Sequence, residues 1–371
     1  MRILYWVDAF PPQIGGVEVL SGQFVRALQR QGHEIVVFSS RGRPDLPDQM
    51  DFFGIPVHRF SFSNALLKRD LKGIKILLAR TNELQASFRP DLIHLNFSSP
   101  SAFFHLFPQK VARAPRLETI HSFLESANGQ DNLHARVLGS VDWVVGVSDA
   151  MLIDARRLVP GIIPRSSVIY NALEMPKLEP ATPPIDDPRV LFVGRLVAEK
   201  GVDVAIDAFA SITKRFPNAR LVIAGDGAIR QDLEQRVGEL GLQDKVEFMG
   251  WVDPEKIPAL INSSTMVAMP SGWREPFGLI ALQAAQMARP IVATRVGGLP
   301  EIILHERTGL LVEKDDSAGL ANAIAFLLAH PEIGVQMGAA GRERVREKFT
   351  MDRLVDEYQA LYRNLVAKSI E

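Results

Sequence analysis

The sequence contains no cysteine in 371 residues. Disulfides and thiolate metal sites are therefore excluded, and the chain is compatible with a reducing compartment. Its eight histidines never fall at the HxH or HxxxH spacing that brings two imidazoles to one ion. Charge of one sign is also lacking. Forty-two Lys and Arg face 43 Asp and Glu, for a net charge of -1, so no global field draws the protein to nucleic acid. No run approaches the roughly 18 uncharged apolar residues that a membrane span needs. The opening "MRILYWVDAF" is broken at Asp8 after a short apolar run and reads as a first strand rather than a leader. These absences point to a cytoplasmic protein without a resident metal.

What is present is alternation. "RILYWV", "EIVVFSS", "PVHRF", "DLIHLNF", "RLETIHSF" and "WVVGVS" read as strands in the first half. "RVLFVG", "RLVIAG", "KVEFMGWV", "TMVAMP", "PIVATRV" and "TGLLVE" read as strands in the second. Helical patterns lie between them, such as Val19–Gln31 and Ala228–Leu240. Near-continuous apolar strands alternating with helices predict parallel sheets covered on both faces. The Pro-rich, acidic stretch "MPKLEPATPPIDDP" interrupts the pattern and reads as a linker. The fold class is α/β, with two doubly wound Rossmann-like domains. Residues 1–175 form the first, 176–188 the linker and 189–351 the second. In open parallel sheets, ligands bind beyond the carboxyl ends of the strands, so functional residues are sought just after strands.

Several strand ends carry suitable chemistry. After the first strand, "IGGVE" places Gly15 and Gly16 before a helix. They either serve a turn that needs positive φ or let backbone N–H groups approach an anion. The pattern is not GxGxxG, which disfavours a nicotinamide dehydrogenase. His121 follows "RLETI" and is either a hydrogen-bonded histidine or a group facing a ligand. His94 lies mid-strand and reads as packed. "VGRLVAEKG" puts Arg195, Lys200 and Gly201 on one strand-end loop, an arrangement suited to a diphosphate. "AGDG" reads as a tight turn that leaves room for a ligand, with Asp226 as a cap. After the third strand of this half, the Gly250–Val252 backbone can present N–H and C=O groups to a nucleobase edge. "SGWREPFGLIALQAAQ" brings Arg274 and Glu275 to the mouth of an apolar helix. Glu275 either caps the N–H groups of Phe277, Gly278 and Leu279 or accepts from ligand hydroxyls while those groups hold phosphate. Gln283 interrupts that helix.

"GGVE", "GRLVAEKG", "AGDG" and "EPFGLIALQA", in this order, resemble the retaining glycosyltransferases of the GT4 type, with the GT-B fold. The resemblance spans the chain. It implies a metal-independent, hexosyltransferase-like transfer of a sugar from a nucleotide-diphosphate sugar, the co-substrate, to a glycan, lipid-linked or small-molecule acceptor. No other cofactor is implied. Gly16 would lie against the diphosphate, and Arg195 and Lys200 would neutralise it. Glu275 would bind donor-sugar hydroxyls, and Phe277, Gly278 and Leu279 would offer N–H groups. His121 would sit near the sugar's C6 oxygen. The family's second acidic residue, which holds the ribose, is replaced here by Gln283. Inverting relatives carry a His base in the loop after the first strand; "DAFPPQIGG" has none, which favours retention. The resemblance also implies that the last helix, residues 352–371, returns to the first domain. A nucleotide-sugar epimerase or hydrolase of the same fold, acting on donor alone, is one alternative. A non-catalytic nucleotide-sugar binder is another. Finally, residues 64–89 carry six Lys or Arg against two acidic residues. They read as a surface helix whose apolar stripe packs on the sheet, or as a basic amphipathic helix making peripheral contact with the inner face of a membrane.

Overall fold

The computed structural model describes residues 1–96, 100–106, 114–123 and 133–370. The apolar runs become strands buried on both faces; Ile3 to Val7 are all buried, as are Met266 to Met269 and Ile291 to Thr294. Such strands need helices on either side of the sheet, which the intervening amphipathic segments supply.

In chain order, the first elements are β1 (Arg2–Val7), α1 (Gly16–Arg30), β2 (Glu34–Ser40), β3 (Gln49–Phe52), β4 (Ile55–Phe60), α2 (Phe62–Leu67) and α3 (Leu71–Phe88). They are followed by β5 (Leu92–Asn96), α4 (Phe103–Leu106), β6 (Arg116–Ile120), α5 (Leu133–Ser140), β7 (Trp143–Gly146), α6 (Asp149–Leu158) and β8 (Ser166–Val168). Phe97, the last residue of the expected strand "DLIHLNF", lies outside the described residues. The sheet runs β3-β4-β2-β1-β5-β6-β7-β8, parallel except for the β3–β4 pair. Chain direction across the sheet reverses between β1 and β5, the switch point at which such sheets bind ligands.

Two strands went unread in the sequence for physical reasons. β3 is a half-exposed edge strand whose hairpin turn is Phe53–Gly54, with φ of 55° and 83°. A Phe at positive φ hides the turn, which is usually written Asn-Gly. β8 is three residues long and mostly Ser. Residues 64–89 are not one helix. Arg69 adopts φ 51°, and the Asp70 carboxylate accepts from the Gly73 N–H at 2.9 Å, ending α2 and capping a new helix, α3.

The second unit contains β9 (Arg189–Val193), α7 (Val202–Ile212), β10 (Arg220–Ala224), α8 (Arg230–Glu239), β11 (Val246–Gly250), α9 (Ile257–Asn262) and β12 (Met266–Met269). Then come α10 (Leu279–Gln286), β13 (Ile291–Thr294), α11 (Leu299–Ile302), β14 (Gly309–Val312), α12 (Ser317–Ala329) and α13 (Pro331–Lys348). Its all-parallel sheet runs β11-β10-β9-β12-β13-β14, with the reversal between β9 and β12. The core gathers around Val190, Phe192, Leu221, Ile223 and Phe209.

The chain divides into Met1–Asn171 with Met351–Glu371, and Ala172–Thr350. The stretch 176–188, expected as a linker, belongs to the second unit. The Glu179 carbonyl accepts from Asn262 Nδ2 at 3.0 Å, the Ala181 N–H donates to Asn262 Oδ1 at 2.8 Å, and the Pro184 carbonyl accepts from Thr265 Oγ1 at 2.8 Å. Prolines prevent a regular ladder here, so side chains take up the backbone groups instead.

The final helix, α14 (Met351–Ile370), is part of the first unit through a buried polar chain. Tyr362 and His94 share a hydrogen bond of 2.6 Å at Nδ1. His94 Nε2 meets Thr119 Oγ1 at 2.8 Å, and Thr119 meets the Tyr358 hydroxyl at 2.8 Å. Burial holds His94 well below the usual imidazole pKa and pushes His105 down to about 3. Both folded values are depressed, so their stabilising effect is complete above the unfolded value of about 6.5 and is lost as pH falls below it. For His105 the loss continues down to about pH 3. Each such histidine removes about 1.4 kcal/mol per pH unit within its window. Urea denaturation at pH 7 and pH 5, followed by amide exchange in β1 and β5, should show a less stable first unit at pH 5. Equal stability at the two pH values would contradict this account.

Candidate active site

At the switch point of the second sheet, two loops are fastened together before any side chain is considered. The loop after β9 ends in a 3-10 turn, Ala198–Lys200, and Gly201 at φ 64°. A Cβ on Gly201 would lie 2.1 Å from the Pro270 carbonyl oxygen, so glycine permits contact with the loop after β12. The Glu199 carbonyl accepts from the Gly272 and Trp273 N–H groups at 3.0 and 3.3 Å.

This junction brings Lys200 to Glu275. The Lys200 ammonium donates to Oε1 of Glu275, and the Ser271 hydroxyl donates to the same oxygen at 2.7 Å. Glu275 is buried, and a carboxylate is tolerated there because it is paired and hydrogen-bonded. It caps nothing, since its charge is held by Lys200 and Ser271. A second layer fixes its backbone. Thr294 Oγ1 donates to the Ser271 carbonyl at 2.7 Å, and the Gly298 N–H donates to the Glu275 carbonyl at 2.8 Å. Gly297, at φ 54°, lies so close that a Cβ would sit 2.0 Å from that carbonyl oxygen. Oε2 of Glu275 has no hydrogen-bond partner among the described residues.

Arg195 follows β9 by two residues. Its side chain is exposed, with no hydrogen-bond or ion-pair partner among the described residues. Phe277 is buried, its ring 5.9 Å from that of Phe349. Gly278 takes φ 108° immediately before α10, which begins at Leu279. The Gly278 and Leu279 N–H groups meet no acceptor among the described residues, as expected at an open helix start. Gln283 is half-buried on α10, and its amide also lacks a partner among the described residues. A cationic side chain, a paired lysine, a carboxylate with a free oxygen and two helix-start donors thus belong to two loops flanking one switch point.

In the neighbouring "AGDG" the glycines face backbone of the adjoining loop. A Cβ on Gly225 would lie 1.8 Å from the Gly194 carbonyl oxygen, and one on Gly227 2.3 Å from that of Leu196. These glycines let the loops after β10 and β9 touch. Asp226 accepts from the Gly227 N–H at 2.8 Å and pairs with Arg230. Gly250 has φ 69°, and its carbonyl is taken by the Gly225 N–H at 2.8 Å; Val252 is half-buried beyond it.

In the first unit, Gly15 is extended at φ −179° and Gly16 opens α1, so neither serves a positive-φ turn. His121 directly follows β6, and its Nε2 lies 2.9 Å from Oδ1 of Asn96, the last residue of β5. With that carbonyl accepting, Nε2 carries the proton and Nδ1 is left as an acceptor. Burial pushes His121 down to about 4, so the ring is neutral near pH 7. Asn96, Ser271 and Thr294 were not singled out in the sequence. Their only signal was a position at or just after a strand end. Among the described residues, no three His, Asp or Glu side chains are grouped to hold a metal ion.

Comparison with known proteins accounts for both halves. A family model described as glycosyl transferases group 1 matches residues 177–344, and one described as Glycosyltransferase Family 4 matches residues 14–175. The chain is 36% identical over 180 residues to alpha-D-kanosaminyltransferase of Streptomyces kanamyceticus, a match spanning 48% of this chain and 46% of that protein. Sucrose-phosphate synthase from Thermosynechococcus elongatus superimposes with a TM-score of 0.85 at 24% identity, covering 99% of this chain and all of that one. HepE from Anabaena, solved in complex with UDP-glucose, superimposes with a TM-score of 0.77 at 20% identity, covering 100% and 99%.

The tight seat of Glu275 on Gly297 can be tested directly. Gly297→Ala introduces both a positive-φ side chain and a clash with backbone that cannot swing aside. It should lower the stability of the second unit by about 2 kcal/mol or more, measured as a fall in urea midpoint. An unchanged midpoint would mean that the loop relaxes freely.

Proposed function

We propose, for a chain that belongs to the GT4-type glycosyltransferases of GT-B fold, that it moves a sugar from a nucleotide-diphosphate donor to an acceptor with retained anomeric configuration, using charges of its own side chains. The observation that carries this reading is the shared Lys200–Glu275 pair with one carboxylate oxygen left over. An ammonium has three donors, and Glu275 uses one. The others can meet phosphate oxygens while Oε2 of Glu275 accepts from sugar hydroxyls. The binding partner of HepE, UDP-glucose, is a molecule of the required kind.

In the proposed reaction the bond from the anomeric carbon to the β-phosphate oxygen breaks, and an acceptor oxygen bonds to that carbon on the same face. The acceptor's proton passes to the departing phosphate. Negative charge grows on that phosphate, so stabilising the leaving group matters more than a strong base. Arg195, Lys200 and the Gly278 and Leu279 N–H groups supply preorganised positive potential. The Gly15–Gly16 start of α1 would face the diphosphate, the Gly250–Val252 backbone the base, and neutral His121 a sugar hydroxyl. The loop Asp8–Gly15 contains no histidine to act as an inverting base.

Lys200→Ala should lower kcat by roughly two orders of magnitude; turnover within tenfold of the parent enzyme would remove Lys200 from the mechanism. The donor can be found by a thermal-shift screen of nucleotide sugars, and the acceptor by mass spectrometry of products. Turnover of donor alone, without acceptor, would favour an epimerase or hydrolase instead. Gln283 offers the ribose one acceptor oxygen and an N–H donor, where a carboxylate would offer two acceptors. Donor binding should therefore survive Gln283→Glu and tighten by a few-fold, on the order of 1 kcal/mol. Loss of binding by calorimetry would show that Gln283 does not face the ribose.

A further inference from the structure

α2 and α3 present an unusual surface. The inward stripe of α3 is Ile74, Leu77, Leu78, Thr81, Leu84 and Gln85, spaced three and four residues apart, and its two fully buried members are the polar Thr81 and Gln85. Meanwhile Leu67, Leu71 and Ile76 are 83%, 73% and 58% exposed. Large aliphatic side chains left in water while polar ones are buried is the reverse of what folding of this helix alone would select.

The charges around these residues share one sign. Lys68, Arg69, Lys72 and Lys75 are all exposed, and their side chains make no ion pair or hydrogen bond among the described residues. The two acidic groups of the segment are occupied. Asp70 caps α3 through the Gly73 N–H, and Glu83 pairs with Arg80 at 2.8 Å. Residues 67–76 thus carry four exposed cations against one carboxylate, interleaved in sequence with three protruding aliphatic side chains at the α2–α3 corner. No single helix among the described residues is long and apolar enough to cross a membrane.

We propose that the α2–α3 corner is a docking surface for an anionic lipid bilayer. Lys68, Arg69, Lys72 and Lys75 would meet headgroup phosphates while Leu67, Leu71 and Ile76 enter the acyl boundary. Charge complementarity selects this occupant. Exposed leucine beside unpaired lysine fits an interface that is anionic outside and apolar beneath, whereas nucleic acid offers no apolar layer. The inference concerns the surface and does not rest on the transferase reading.

The test is co-sedimentation of the full chain with vesicles of phosphatidylcholine, with and without phosphatidylglycerol, at low and high salt. Binding should require phosphatidylglycerol and weaken with salt. A Lys68→Gln/Arg69→Gln/Lys72→Gln/Lys75→Gln variant should lose at least about tenfold in partitioning. A Leu67→Ser/Leu71→Ser/Ile76→Ser variant should lose about as much. All seven side chains are exposed, so both variants should keep the parent far-UV spectrum and melting temperature. No binding to anionic vesicles, or undiminished binding by either variant, overturns the proposal. So does a concentration-dependent dimer in sedimentation velocity that the serine variant abolishes, because the patch would then serve a second copy of this chain.

Discussion

The buried carboxylate of Glu275 is the constraint around which the second unit is arranged. A carboxylate largely withdrawn from water is tolerated when a cation and a donor meet it, and Lys200 and Ser271 do so on one oxygen. They can do so only because two loops that are distant in sequence are pressed together. That contact depends on Gly201 against Pro270 and on Glu199 receiving two N–H groups from the neighbouring loop. It in turn depends on β9 and β12 being adjacent at the centre of the sheet, where the crossovers diverge and leave their loops to face each other. Sheet order, loop contact and side-chain pairing are thus successive consequences of one another.

The first unit solves a different problem with the same economy of polar groups. Its last helix is separated from the rest by the whole second unit in sequence, yet it is held by hydroxyls that reach inside the sheet. Thr119 lies on β6 and His94 on β5, adjacent strands, and α14 reaches both through Tyr358 and Tyr362, one turn apart. Tyrosine suits this role because its ring is buried as hydrocarbon and its hydroxyl satisfies a buried partner. An apolar helix face would pack there as well, but without a hydrogen-bond register to fix its rotation. The cost is that His94 must stay neutral.

Much of this architecture was legible because doubly wound sheets write strands as uninterrupted apolar runs. Twelve strand segments could be read that way, and the two missed, β3 and β8, are edge strands with a polar face or too little length. Pattern reading also failed where backbone geometry is set by something other than periodicity. The break at Arg69 comes from one left-handed residue, and the supposed linker is fastened by Asn262 and Thr265, which lie far ahead in the sequence. In the site, charged residues on strand-end loops stood out because charge beside glycine is conspicuous. Ser271 and Thr294 did not, since a hydroxyl that supports a carboxylate looks like any other hydroxyl until the loops are folded together.

The glycines separate two requirements that the sequence motifs combine. Gly201, Gly225, Gly227 and Gly297 are each pressed against a backbone carbonyl of a neighbouring loop, with no space for a methyl group. A carbonyl cannot rotate away like a side chain, so these positions are demanded by the packing whatever ligand is bound. The Gln283 side chain makes no hydrogen bond among the described residues and sits on a regular helix. Its replacement by an acidic residue would disturb no loop contact. A motif of this kind therefore has a rigid part, set by loop-to-loop contact, and a free part, set by the ligand. The departure at Gln283 falls in the free part. It bears on what the site binds and leaves intact the frame that places Lys200 and Glu275 together.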